Sequence, residues 1–382
     1  MRSDADTSRI SPLGLTCDRY VEACRDAGIG AARATGCYTR YYREGVGEGP
    51  AAGAEVAPIV KRLTEPGDEG VTTKFCQRLN APDAGRFAEQ GVPHLDIESV
   101  IIPMVGRTSR RSHTLCVSSQ VGCAMGCEFC ETAQMGLVRS LTPAEIVGQW
   151  WAATHLEGAE IDNIVFMGMG EPLDNLDAVL DAIACLTDHR GAAVPMSNIT
   201  ISTVGRVDGL RKLIDVVQQP GWKRLGLALS VNAPNDEVRN AIMPLNKRWG
   251  MAELRDTMVE LSAARSNRKL LFEYVLIPGV NDAPEHAGQL AEWLSPFLRA
   301  ERGKHIGLLN VIPYNPRRNS PWPAPDEDDV TRFVDDLRDL GVYAKRRRTK
   351  GRTSMAACGQ LGTEDIRKRQ YVPVTTTGAT RA

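Results

Sequence analysis

From Thr114 to Arg346, short apolar runs alternate with segments whose apolar residues recur at helical spacing. Short runs bounded by glycine or polar residues fit strands buried on both faces, and the periodic segments fit amphipathic helices. The strand candidates are Asn163 to Met167, Asn198 to Ser202, Leu225 to Ser230, Leu270 to Leu276, Ile306 to Ile312 and Val342 to Arg346. Between them the spacing predicts helices over Leu176 to Leu186, Met251 to Ala264 and Glu285 to Leu298, and another through Val330, Phe333, Val334 and Leu337 after Pro325. One further helix carries its own start signals. Thr142 is the cap, Pro143 suits the first turn, Glu145 closes a capping box, and Ile146, Val147, Trp150 and Trp151 form an apolar face. This alternation predicts an α/β fold built on a parallel sheet or barrel.

Several strand candidates run into polar or glycine-rich loops: Gly168 to Pro172, Ser202 to Gly205, Ser230 to Pro234 and Pro313 to Pro316. In βα folds the carboxyl ends of the strands are where sites are assembled. Any one loop is more simply a turn, but four at the same end of a sheet as a cluster of thiols point to a site.

That cluster is Cys123, Cys127 and Cys130, spaced C-x3-C-x2-C in a loop that also holds Gly122 and Gly126. Structural zinc takes four ligands in two separated pairs, and the chain has no second C-x2-C. Three thiolates instead suit an iron–sulfur cluster that keeps one iron open to a small molecule. Cys17, Cys24, Cys37, Cys76 and Cys185 show no ligand spacing, and Cys185 lies on a helical apolar stripe where a small buried hydrophobe is the simpler account. Cys358, in the apolar island Met355 to Leu361, is by itself a lone cysteine of the kind that is usually inert.

Bulk properties narrow the setting. The 382 residues, 42% hydrophobic and 24% charged, exclude a largely disordered chain. No apolar run is long enough to span a membrane, and Met1 to Thr16 lacks a basic stretch before an apolar block, so the expectation is a cytoplasmic protein. With a net charge of −1, nucleic-acid binding would have to come from local patches. Candidates are Arg107, Arg110 and Arg111, then Arg317 and Arg318, then Lys345 to Lys350, although short basic runs are more often solvated surface.

These words, taken together and in order, resemble the RlmN and Cfr family of radical S-adenosylmethionine RNA methyltransferases, and the RlmN branch more than the Cfr branch. The matching text comprises Thr114 to Cys123, the cysteine cluster, the Gly168 loop, Ser202-Thr203, Ala233 to Asp236, Pro313 to Pro316 and Ala357 to Leu361, within a similarity running from about Glu98 to Leu361. The resemblance implies a partial (β/α) barrel, with a small, mainly helical N-terminal domain. By position it assigns a 4Fe-4S cluster to Cys123, Cys127 and Cys130, whose open iron would chelate S-adenosyl-L-methionine. Gly170 and Glu171 would contact the methionine end of that cofactor, and Ser202, Ser230, Val231, Asn232 and Asn315 the rest. Cys358 would carry a methyl group, Cys116 would be its partner thiol, and Glu98 the proton acceptor.

In the family scheme one cofactor molecule methylates Cys358, and a second yields a radical that removes hydrogen from that methyl. The resulting carbon radical adds to carbon 2 of an adenine, an electron-poor atom that will not attack a sulfonium directly. Cys116 then attacks the Cys358 sulfur to release the product as a disulfide, and Glu98 removes the ring proton. The implied partners are 23S ribosomal RNA, transfer RNA as a second target, and an electron donor such as flavodoxin or ferredoxin. The enzyme is expected to act as a monomer. Two departures stand out. Asn232 replaces the usual histidine and cannot titrate, and Glu131 and Ala133 stand where relatives carry other, often smaller, residues.

The expected domains are 1–94, helical and RNA-contacting; 95–349, the barrel; and 350–382, the cysteine-bearing segment with a disordered tail from Thr375. Helices are predicted near Asp18 to Ala27 and Ala32 to Arg43, the second mixing arginines with aromatics as RNA surfaces do, and Val46 to Ala57 reads as a loop or linker. Rival readings are methylation of adenine carbon 8, a radical enzyme acting on a small molecule or peptide, and a non-catalytic iron–sulfur or zinc RNA-binding module.

Overall fold

The computed structural model describes residues 9–80, 94–105, 111–265, 270–298 and 306–362. Arg107, Arg110, the first eight residues and the Thr375–Ala382 tail lie outside the described residues. The chain opens with helices α1 (Cys17–Asp26) and α2 (Ala31–Glu44), followed by strands β1 (Ile59–Gly67), β2 (Gly70–Asn80), β3 (His94–Val105) and β4 (Arg111–Cys116). A small hairpin, β5 (Gln120–Gly122) with β6 (Leu137–Ser140), encloses the cysteine loop and leads into α3 (Pro143–Trp151). Alternation then sets in. The order is β7 (Asn163–Phe166), α4 (Leu176–Thr187), β8 (Ile199–Thr203), α5 (Val207–Gln218), β9 (Gly226–Ser230), α6 (Asp236–Ile242), α7 (Met251–Ala264), β10 (Leu270–Leu276), α8 (Pro284–Leu298), β11 (Gly307–Pro313), α9 (Glu327–Asp339) and β12 (Ala344–Arg346).

Among the described residues one sheet holds ten strands in the order β1-β2-β3-β4-β7-β8-β9-β10-β11-β12. From β4 to β12 the pairings are parallel, and β1, β2 and β3 add to β4 antiparallel. The sheet does not close on itself, so the expected partial barrel is present, with an antiparallel wing on its β4 edge. The parallel strands are short and apolar because helices and the barrel interior cover both faces; the first four residues of β9 are buried. Among the described residues no helix is long and apolar enough to cross a membrane.

The α3 start matches the sequence reading atom for atom. Thr142 Oγ1 accepts from the Glu145 N–H at 3.2 Å, and Glu145 Oε2 accepts from the Thr142 N–H at 2.9 Å. The same pattern shows why the N-terminal helices sit where they do. Tyr38, Tyr41 and Tyr42 of α2 are at most 1% exposed. Tyr41 stacks on Trp151 with centroids 5.5 Å apart, and Trp151 Nε1 donates to the Tyr41 carbonyl at 3.0 Å. These aromatics, which gave the segment its RNA-like composition, are therefore core and present no stacking surface. The Val46 to Ala57 stretch is also docked, with Ala51 fully buried and the Ile10 N–H donating to the Pro50 carbonyl at 2.8 Å, so it is no free linker. The first 94 residues contribute β1 and β2 as well as the two helices, and the sheet runs on through β3 across the expected boundary at 94/95.

Candidate active site

The strand-end loops converge on one cavity of about 970 Å³, part of it open to solvent. Cys123, Cys127 and Cys130 line one wall, and Gly170, Glu171, Ser202, Ser230, Asn232 and Asn315 line others. Val231 differs from its neighbours in facing the hydrophobic core, with no exposure, so it reaches the site only through its backbone.

The cysteine loop turns on two glycines in left-handed conformation, Gly122 at φ +76° and Gly126 at φ +67°. A Cβ on Gly122 would meet the Gly136 carbonyl oxygen at 1.9 Å, so only glycine allows the loop to close onto β6. Met125 and Phe129 pack around the three thiols with Ala233, Ile242, Met243, Ile277 and Tyr314. Burial in this apolar setting pushes Cys123 up to about 12 and Cys127 well above the usual thiol range, and the thiols raise each other further.

The strand-end loops are tied to one another by buried polar groups. The Glu171 carboxylate accepts from the Leu173 N–H at 3.0 Å and the Val204 N–H at 2.9 Å, joining the β7 and β8 loops. Its oxygens are thus engaged by the protein itself, and burial pushes its carboxyl above the usual range. Gly168 lies against β4's continuation, where a Cβ would come within 2.6 Å of the Val117 carbonyl oxygen. Asn232 has φ +56°, a region asparagine tolerates better than most residues. Its Oδ1 accepts from the Val275 N–H at 2.9 Å, so the side chain that replaces histidine fixes the end of β10.

Sequence reasoning missed Arg239, which is fully buried beneath this floor. Its Nε donates to the Val231 carbonyl at 3.0 Å and its Nη1 to Asn246 Oδ1 at 2.9 Å. Its Nη2 donates to the Val204 carbonyl at 2.6 Å and the Ser230 carbonyl at 3.3 Å. Glu273 was also not singled out, and Arg347 was named only as part of the basic run, though both line the cavity. Glu273, a charge in the apolar strand Leu270–Leu276, could have been noticed as such. Burial raises its carboxyl, against Arg347 at 3.5 Å and the Asn310 amide, which donates to it at 2.9 Å.

The segment 351–362 completes the cavity. Cys358 and Gly359 line it, and Cys116 stands behind Cys358, 6% exposed. Cys116 is pushed up to about 12, first by burial and then by the nearby Cys358, while Arg347 opposes both. Arg347 itself is raised above its ordinary value mainly by Cys358. Both cysteines are free thiols. The segment docks on the cysteine loop, where the Glu131 N–H donates to the Gly359 carbonyl at 2.7 Å and Thr132 Oγ1 to the Leu361 carbonyl at 2.6 Å. Glu131, one of the two departures, accepts from the Arg318 N–H at 2.7 Å and so ties the cysteine loop to the loop after β11. Glu98 lies on the far side of the segment, 5% exposed, with Oε2 accepting from the Gly362 N–H at 2.8 Å.

In the rest of the basic run Arg346 pairs with Glu327, Arg348 with Glu69 at 3.9 Å and Lys350 with Glu69 at 2.6 Å, while Lys345 lies over the Tyr343 ring at 5.5 Å.

Comparison with known proteins places this arrangement. Residues 117–293 match the radical SAM superfamily model. A relative from Protochlamydia amoebophila, named as a probable dual-specificity RNA methyltransferase RlmN 1, is 38% identical over 94% of this chain and 96% of its own length. The dual-specificity RNA methyltransferase RlmN of Lawsonia intracellularis is 41% identical over 70% of this chain and 72% of that protein. A crystal structure of a radical SAM methyltransferase from Sphaerobacter thermophilus superposes with a TM-score of 0.78 at 32% identity, covering 92% of this chain and 99% of that one. With full-length similarity of that order, and with the cysteine loop, the strand-end loops and Cys358 around one cavity, the chain belongs to the RlmN family of the radical SAM superfamily.

Proposed function

We propose that this protein methylates carbon 2 of an adenine in RNA, with Cys358 as the carrier of the methyl carbon. The observation that carries the reading is the meeting of Cys358 and Cys116, distant in sequence, at the edge of the cavity that the three cluster cysteines line. Membership of the superfamily brings S-adenosylmethionine and an iron–sulfur cluster. We assign the cluster as 4Fe-4S, held by Cys123, Cys127 and Cys130. The donor set fits. Three thiols stand on one cavity wall, packed among Met125 and Phe129, a donor set of soft ligands suited to iron–sulfur binding. Buried thiols that repel one another's charge also suit a cation that takes the place of their protons.

When bound, the cluster supplies an electron, and S-adenosylmethionine supplies a methyl group and a carbon radical able to abstract hydrogen. The chain's own groups do the rest. Gly170, Glu171, Ser202, Ser230, Val231, Asn232 and Asn315 hold the cofactor, by backbone where their side chains are engaged. The Cys358 sulfur presents its methyl carbon to the cavity. The Cys116 thiolate attacks that sulfur, forming the S–S bond while the S–C electron pair leaves with the carbon now on the ring, which takes up a proton to become the methyl group. Glu98 accepts the ring proton once the segment 355–362 gives it access.

The substrate under this reading is 23S ribosomal RNA, with transfer RNA as a second target. The electron comes from flavodoxin or ferredoxin, and the enzyme works as a cytoplasmic monomer. The exposed arginines of α2, Arg33, Arg40 and Arg43, are the RNA-facing part of the N-terminal region. Anaerobically reconstituted protein should convert adenosine in a 23S fragment to 2-methyladenosine, read by mass spectrometry of the nucleosides. Cys358→Ala should abolish product, and Cys116→Ala should leave RNA covalently attached to Cys358. Appearance of 8-methyladenosine, or turnover unaffected by Cys358→Ala, would overturn the assignment.

A further inference from the structure

The wing strands are paired so that Cys76 stands opposite Glu98, Lys74 opposite Val100, and Val100 opposite Cys116. Directly paired residues project to the same side of a sheet, as do residues two apart on one strand. Lys74, Cys76, Glu98 and Cys116 therefore share one side, and the Cys358 segment lies against it. Lys74 and Glu98 form an ion pair at 3.3 Å, their side chains only 5% and 6% exposed. Lys74 Nζ also donates to the Met355 carbonyl at 2.9 Å, and the other Glu98 oxygen accepts from the Gly362 N–H at 2.8 Å. Met355 precedes Cys358 by three residues and Gly362 follows it by four. One buried pair thus fastens the segment on both sides of its cysteine.

A buried ion pair is a poor device for stability alone, because apolar residues of similar volume would pack there without losing hydration. What an apolar pair could not do is hold two backbone groups of a separate segment at fixed positions. We propose that Lys74 is a positioning residue: with Glu98 it clips residues 355–362 to the wing and so holds the Cys358 sulfur between the cavity and Cys116. The inference rests on the reading of Cys358 as the methyl carrier. Lys74 touches neither cofactor nor substrate; it acts through Glu98 and Met355.

The test uses the full-length, cluster-loaded protein and two readouts. One is hydrogen exchange in peptides spanning 355–362; the other is the rate at which Cys358 gains a methyl group from S-adenosylmethionine without RNA, by mass spectrometry. Lys74→Met should speed exchange of that segment about tenfold or more, as loss of a charge-assisted contact implies, and slow methyl gain. Lys74→Arg, which keeps the charge and the donors, should restore both. Because Lys74→Met strands a buried carboxylate and can fail to fold, the Lys74→Met/Glu98→Gln double variant removes both charges; its segment should still exchange fast in a folded protein. Wild-type exchange in Lys74→Met or in the double variant, or no recovery in Lys74→Arg, would overturn the clip. A wild-type protein that never carries a methyl on Cys358 would overturn the functional reading instead, and exchange would still decide the role of Lys74.

Discussion

Replacing Arg239 by lysine keeps the positive charge and removes the planar fork, and the structure lets the consequence be worked out. Arg239 has no exposed surface and reaches four acceptors with three nitrogens: the Val231, Val204 and Ser230 carbonyls and Asn246 Oδ1. Burial lowers it to about 10, so at neutral pH it remains a cation with every N–H available. A lysine ammonium is a single point of donation and cannot span acceptors that the guanidinium approaches from different directions. At least two carbonyls should be left buried and unpaired, at roughly 1–3 kcal/mol each, a total of about 2–6 kcal/mol. Since the chain is larger than those for which all-or-none unfolding can be assumed, the measurement is a melting temperature, expected to fall by about 5–10 °C. The loss should also reach the cofactor loops, because Val204, Ser230 and Val231 end β8 and β9. S-adenosylmethionine binding, followed by calorimetry on reconstituted protein, should weaken about tenfold, equivalent to about 1.4 kcal/mol. A shift under about 1 °C with unchanged affinity would mean that the fork is not what holds the floor of the site.

The same bonds yield further expectations. In the wild type, alkylation at Cys116 by iodoacetamide, followed by mass spectrometry of the Cys116 peptide, should rise about tenfold per pH unit from pH 7 to 10, since its value near 12 leaves the thiol protonated throughout; a plateau near pH 9 would contradict this. Gly168→Ala drives a methyl group into the Val117 backbone, so it should cost about 1–3 kcal/mol in stability and weaken cofactor binding, seen as a lower melting temperature and a higher Kd. Glu273 has its folded-state value raised by burial, so the wild type loses stability as pH rises from the ordinary carboxylate range through that value. Glu273→Gln escapes that loss, and its melting temperature relative to wild type should be higher at pH 8 than at pH 5; a flat difference would show that Arg347 fully offsets the burial.

The barrel was legible because its physics is local. Strands covered on both faces must be apolar along their whole length, and Leu270–Leu276 and Met251–Ala264 fall where periodicity places them. The wing was not legible, for an equally physical reason. β1 sits at the sheet edge with no fully buried position, so the run Ile59–Gly67 carries no apolar signature. The α2 tyrosines show the opposite error. Ala34, Cys37, Tyr38, Tyr41 and Tyr42 recur at helical spacing and form the buried stripe of α2, a pattern that outweighs the neighbouring arginines. Arg239 left no trace in the sequence, because an arginine beside acidic residues at a helix start looks like ordinary surface.

The site joins two architectures, and β4 belongs to both. On one side β4 pairs parallel with β7, and the loops after the parallel strands form the cofactor cavity. On the other it pairs antiparallel with β3, and the wing presents Lys74, Glu98 and Cys116 to the Cys358 segment. After Cys116 the chain passes through β5 directly into the cysteine loop. The three loop cysteines and Cys116 are therefore held in one frame. Sheet register has a period of two, so a one-residue slip of β4 against β3 would turn Cys116 to the opposite side, away from Cys358. Under the proposed function, the Val100–Cys116 pairing is accordingly a condition of thiol exchange as much as of folding, and no local pattern around either cysteine encodes it.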